Sequence, residues 1–536
     1  MKKLFYIFAF VAFALTSCDK NEVNNLTELT EPIAKAVDPV DPEMIKLGKK
    51  RENPYSVENI RKAYQALQAD GLLRAPMNIQ ATNLYVRFLP KTEDEYQALK
   101  KQGYELFDYP LEYERVEGGS YYHDPNLPKD GFTWIYVVLP VDYVFGDIQY
   151  EIISELVLQD ESEASGMAAA QKVKAIDTND WSLIEEKSFE LTGNEYYSKK
   201  ESTNGMMKVK VKPSGRITIE DDVLKREIGI EGVKVRASRW FTAKYGYTNS
   251  NGEYTFNYTF NGPVDYSIVW EREDWDIRHG VWAQATYNGP NTVTNSWSVK
   301  INNSNIQFVY ANVHRACFTY WFNISSFGIK TPPKDSSWSP RVKIGVYDTA
   351  GRAYASPLLR WFTIPSICIY SHSKYDNGTT VKNTSAWIYQ TTIHELAHTS
   401  HWEIDKDLFW SIDQILVESW AVGVAYEIPR KIYPVSSLSR WDWQHITKAK
   451  IIDMNDLERK YTPIVIDLMD TTNQSVMYGD TTQYANDKVS GYTLQQIENA
   501  IKKVKTLNGL KNNLKSMYDN PSEEHLDKLF EFYTNL

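Results

Sequence analysis

The sequence predicts an α+β protein of several domains. Three observations carry this. At 536 residues the chain is too long for one hydrophobic core, so two or three domains are expected. Short runs of alternating apolar residues, the mark of half-buried strands, fill its middle. Helical periodicity governs the stretch around residue 395 and most of the chain beyond it.

At the N-terminus, Lys2 and Lys3 precede an apolar run, Leu4 to Leu15, that is short for a membrane span. The run ends in Leu15-Thr16-Ser17-Cys18, which resembles a bacterial lipobox. That resemblance implies that residues 1–17 are a signal peptide and that Cys18 becomes the lipid-bearing first residue of the mature protein. The expected location is the outer membrane of a diderm bacterium, at the cell surface or facing the periplasm. Asp19 and Glu22 lean toward surface display. Residues 18–50 are polar, contain Pro32, Pro39 and Pro42, and read as a flexible tether.

Loss of residues 1–17 removes Lys2 and Lys3 and takes the formal charge from −10 to −12, with 57 basic against 69 acidic side chains. A mildly acidic chain gives no support for nucleic-acid binding. Cys317 and Cys368 are the thiols left after Cys18, either paired in an exported protein or separately buried. The 36 Tyr and 16 Trp are read first as packing in sheets and cores.

Residues 51–205 read as a mixed α/β region without a catalytic constellation. Glu58 to Gln68 is helical in pattern, and Asn83 to Leu89 alternates like a strand. Thr92 with Glu95 marks a capping box, opening a short helix that ends near Gly103. Tyr104 to Phe107 and Phe132 to Leu139 are further strands. Residues 206–290 predict a small β-sandwich. Gly232 to Ala237 alternates, Asn249-Ser250-Asn251-Gly252 is a turn signal, and Tyr254, Phe256, Tyr258 and Phe260 share one face. Val264, Tyr266, Ile268 and Trp270 repeat the pattern. The order GVKVRA…GYTNSNGEYTF resembles the carboxypeptidase regulatory-like (transthyretin-like) module, which implies a non-catalytic accessory domain.

Residues 291–536 hold the chemistry. Strands are expected at Ile306 to Val313, Val342 to Tyr347 and Ser366 to Tyr370. Amphipathic helices are expected at Thr493 to Leu507 and Ser522 to Tyr533. Between them stands His394-Glu395-Leu396-Ala397-His398, an H-E-x-x-H in a chain with only 9 histidines. Composition alone would produce that pattern in roughly one such chain in a hundred. Two imidazoles four residues apart on a helix face the same way and can share one metal ion, and Glu395 sits where it can act on a water at that metal. Ser385 can cap this helix, which should run to about Ser400. Ala386, Tyr389, Ile393, Leu396 and Ala397 form its apolar stripe.

A catalytic zinc ordinarily takes a third protein ligand. His401 lies about 10.5 Å along an unbroken helix from His394, so it can share the ion only if the helix breaks right after His398. Glu418 fits better. Ser411 with Gln414 reads as a capping box opening a helix from about Ile412 to Ile428, before Pro429. Glu418 falls on that helix among Ile415, Ala421, Val422 and Ala425, where a bare carboxylate would be costly and a cation would compensate it. Ala421, Gly423 and Ala425 are small enough to let the two helices approach. Glu427 is a weaker choice, and Glu403 and Asp405 are too near in the chain.

H-E-x-x-H with a glutamate 20 residues after its second histidine resembles the gluzincin metallopeptidases, and the strand-then-helix layout is that of zincin-like catalytic domains. The metzincin pattern is not met, because His401 and Ile404 stand where that family has glycine and a third histidine. The gluzincin resemblance implies that His394, His398 and Glu418 hold one Zn²⁺ and that Glu395 is general base and then proton shuttle. Val422 stands where some members place an aspartate that orients a zinc ligand, so Asp413 or a backbone carbonyl is left for that task. The family's oxyanion donor would be Tyr478 or Tyr484, with His445 weaker. The expected activity is hydrolysis of proteins, peptides or glycoproteins. The rival is a surface adhesion protein, binding protein or glycan, that keeps the fold without turnover.

Overall fold

The computed structural model describes residues 41–73, 76–159, 178–194, 209–333, 341–355, 365–374, 378–438, 443–452 and 461–535. Cys18, the signal segment and residues 18–40 of the expected tether lie outside them. The described chain is mixed α+β, with several sheets. No described helix is long and apolar enough to cross a membrane.

The N-terminal unit is a four-stranded antiparallel sheet in the order Leu106–Phe107, Ile135–Pro140, Asn83–Leu89, Gln149–Leu156. Helices Val57–Ala69 and Thr178–Leu191 pack on each other beside it. Helix Glu93–Lys101 opens on Thr92, whose hydroxyl accepts from Glu95 N at 3.2 Å. Only half of the expected capping box forms, because the Glu95 carboxylate reaches Lys91 N instead. The folded part begins before residue 51. Leu47–Lys50 pairs antiparallel with Tyr113–Arg115 and Ile45 is buried, so residues 41–50 belong to this unit and not to the tether.

Two further sheets come next in the chain. One runs Thr242–Tyr247, Lys234–Arg239, Asp265–Val269, Thr286–Asn288. The other runs Glu253–Thr255, Ser214–Asp221, Val299–Ile301, with Arg226–Gly229 beside Ser214–Asp221. The aromatic alternation works as expected, with Tyr254, Phe256, Phe260, Tyr266 and Trp270 all buried and Tyr258 half-buried. Gly252 closes the turn at φ +79°, and a Cβ there would lie 2.1 Å from the Ile217 carbonyl oxygen.

Strand pairings cross the boundary expected at residue 290. Trp275–His279 leaves these sheets and lies parallel to Val342–Gly351 in a six-stranded sheet. Val299–Ile301 returns to lie parallel to Ser214–Asp221. The six-stranded sheet runs Ala283–Gln284, Trp275–His279, Val342–Gly351, Ile367–Lys374, Tyr354–Ala355, with Thr380–Lys382 on Ile367–Lys374. One apolar core spans all three sheets and the helices beyond them.

Ile306 to Val313, expected as a strand, is instead part of helix Gln307–Phe318. Its residues are buried on nearly every face, so the apolar run carries no period that separates helix from strand. The helix expected from Thr493 to Leu507 stops at Ile501 and resumes at Leu507–Met517, with Lys503 at φ +60° between. Cys317 and Cys368 are both buried and are not bridged to each other.

Candidate metal centre

The H-E-x-x-H residues lie on helix Ser385–Ile404, which packs against strand Ile367–Lys374 and helix Gln307–Phe318. Its cap is Thr384, whose hydroxyl accepts from Trp387 N at 3.3 Å; Ser385, the expected cap, is already inside. Ser385 has another task. Its hydroxyl donates to Asp221 Oδ1 at 2.7 Å and its N–H to Asp222 Oδ1 at 2.8 Å. Two carboxylates at the end of strand Ser214–Asp221 thus hold the positive end of the metal-motif helix. Asp221 also accepts from Tyr433 at 2.7 Å and pairs with Arg315 at 3.0 Å. Burial raises its pKa, but the Leu224 N–H, Ser385, Tyr433 and Arg315 together hold it below the ordinary value.

The helix runs unbroken past His398 to Ile404. His401 therefore stays out of the cluster, as its distance along the axis required. It is fully buried against Phe409 and Trp420, and neither ring nitrogen has a hydrogen-bond partner. Burial, with the charge of His398, holds its pKa down at about 3.

The second helix is Gln414–Glu427, capped at Asp413 and not at Ser411. The expected capping box is absent. Ser411 donates to the Leu408 carbonyl at 2.8 Å, and the Gln414 amide reaches Glu418 Oε1 at 2.6 Å. The two helices are tied by Gln390 Nε2 donating to the Ala425 carbonyl at 3.1 Å. Gly423 serves a different contact from the one expected. A Cβ there would lie 2.1 Å from Val465 Cγ1, so it admits the short helix Ile464–Asp467.

Between the helices, three ligand atoms converge. Glu418 Oε2 lies 3.2 Å from His398 Nε2 and 3.5 Å from His394 Nε2, and the two nitrogens are 3.1 Å apart. A tetrahedral metal with bonds near 2.05 Å would space its ligands by about 3.3 Å. All three residues are buried, Glu418 Oε2 takes no hydrogen bond, and among the described residues this is the one group of three such side chains that could hold a metal ion.

The charges suit that use. Burial pushes His394 down to about 4, which keeps it neutral. Burial would raise Glu418, but His398 first and His394 second hold its carboxyl well below the usual range. His398 is desolvated too, yet the charges of Glu418 and Glu395 raise its pKa. A dication here would compensate the buried Glu418 carboxylate and compete with protons for the histidines. Glu395 is buried beside the cluster. The Ala421 backbone lies close enough to His394 to act against the downward shift of its pKa. Asp413 stands at the N-cap of helix Gln414–Glu427, and its side chain makes no capping hydrogen bond.

The remaining candidates make other contacts. Tyr478 and Tyr484 stack on each other with centroids 4.4 Å apart, and Tyr478 is exposed. His445 is exposed in a single 3-10 turn. Glu427 pairs with Arg430 and Lys431, Glu403 with Lys406, and Asp405 accepts from Lys503 N. Sequence reasoning missed Tyr461. Its ring stands 6.1 Å from that of His394, and it is half-buried. Its neighbour Thr462 fixes it, through a 2.8 Å hydroxyl pair with Ser419 and a 3.1 Å bond from Thr462 N to Ser419 Oγ. No spacing rule marks such a residue, since it reaches the site by tertiary contact with the residue after Glu418. No protein-family model matches this chain, and no curated protein matches it in sequence.

Proposed function

We propose that the chain is a zinc-dependent metallopeptidase of the gluzincin type. The observation that carries this reading is the approach of Glu418 Oε2 to within 3.2 and 3.5 Å of two imidazole nitrogens on another helix. Within that reading, His394, His398 and Glu418 hold one Zn²⁺. Zinc, when bound, polarises a scissile carbonyl and lowers the pKa of a water at its open position. Glu395 takes the proton of the attacking water and delivers it to the leaving amine. Tyr461, against His394, is better placed than Tyr478 or Tyr484 to hold the oxyanion.

The three-sheet core with its two ligand helices then forms a zincin-like catalytic body. The sheets around residues 214–301 serve as a carboxypeptidase regulatory-like β-sandwich built into it. The lipobox-like Leu15 to Cys18 supports a lipid-anchored outer-membrane protein acting on peptides, proteins or glycoproteins outside the cytoplasm. The test is cleavage of a broad peptide and glycoprotein library. Cleavage that a zinc chelator abolishes, and that Glu395→Gln loses while retaining zinc, is the expected result. Full activity in Glu395→Gln would sink the catalytic assignment, and a zinc-loaded chain that cleaves nothing would favour the surface-binding alternative.

A further inference from the structure

Gln414 occupies the first position of helix Gln414–Glu427, one turn before Glu418. At that position an amide oxygen could accept from its own helix's free N–H groups. It does not. Its Nε2 donates to Glu418 Oε1 at 2.6 Å, and Oε2 of the same carboxylate, free of hydrogen bonds, faces both histidines. The two oxygens are therefore inequivalent. One is saturated by an amide donor, and the other keeps its lone pairs for the cluster. The turn that carries Gln414 is itself anchored, because Asp413 N donates to the Lys505 carbonyl at 2.8 Å.

We infer that Gln414 is a positioning residue that makes Glu418 a one-oxygen metal ligand, leaving a coordination position open to the reacting group. This rests on the metal reading of the cluster. A carboxylate released from its amide can turn and bind through both oxygens, closing the position that a catalytic site needs. It also loses its fixed orientation, which weakens the ion's hold.

The test uses the mature chain and two variants, Gln414→Leu and the isosteric Gln414→Glu. Zinc affinity is measured by competition with a chromogenic chelator. The visible spectrum of the cobalt-substituted protein reports coordination number, which a general loss of stability would not alter. Both variants should bind zinc about 10–100-fold more weakly. Their cobalt spectra should lose the intensity of a four-coordinate ion. If one variant fails to fold, the other decides. Unchanged affinity and spectrum in a folded variant would overturn the inference and leave the metal reading standing. A wild-type chain that takes up no zinc would overturn both.

Discussion

His398 and His401 are neighbours on one helix, both buried, and they have opposite tasks. His398 faces Glu418 at 3.2 Å, whereas His401 sits between Phe409 and Trp420 with no polar partner. A buried polar group without a partner costs about 1–3 kcal/mol. His401→Leu is therefore expected to leave zinc binding unchanged and to raise stability by about 1 kcal/mol in denaturant titrations. Loss of zinc in His401→Leu would show that His401 belongs to the site. At this scale the convergence of His394, His398 and Glu418 was legible because helical spacing and burial cost constrain it directly. Tyr461 was not legible, since its place depends on how Thr462 meets Ser419.

The two helices that carry His394, His398 and Glu418 depend on neighbours that their own sequences do not name. The carboxylates of Asp221 and Asp222 hold the start of one, and Gly423 lets Ile464–Asp467 approach the other. Gly423→Ala would place a Cβ within 2.1 Å of Val465 Cγ1. We expect it to destabilise the protein by about 1–3 kcal/mol, the usual cost of overpacking, read from its denaturation midpoint. A neutral effect would mean that Ile464–Asp467 can move away freely. The strand Asn83–Leu89 was readable because Leu84, Val86 and Phe88 recur at every second position, and the turn at Gly252 because one backbone conformation is demanded there. Helix Gln307–Phe318 was misread as a strand because burial on nearly all sides erases its period.

Across the whole molecule, the units expected from the sequence are interlocked. Trp240, at the tip of the hairpin Lys234 to Tyr247, is buried in the core of the N-terminal unit. Lys100 of that unit pairs with Glu271 at 3.0 Å and Asp276 at 3.2 Å. Such long-range pairings leave no local pattern, which is why the strand pairings that cross residues 50 and 290 were not legible in the sequence. The C-terminal helices carry a cost of their own. Asp467 and Asp487 are buried near Asp470, and Asp487 accepts from Val489 N. Burial, and then Asp470, push Asp487 up to about 8, while the Val489 N–H pulls the other way. An unfolded aspartate titrates near 3.9, so between about pH 4 and pH 8 the folded chain holds more protons than the unfolded one. Stability should fall as pH rises through that window and level off above it. Asp487→Asn should flatten the profile measured by thermal melting across that range, and an unchanged profile would assign the slope elsewhere.

All of this is centred on Glu418 meeting two histidines from another helix. Zinc content after equilibrium dialysis and elemental analysis of the wild-type chain and of Glu418→Ala tests that most directly. The account predicts close to one zinc per chain in the first and almost none in the second. Equal zinc in both, or none in either, would contradict it.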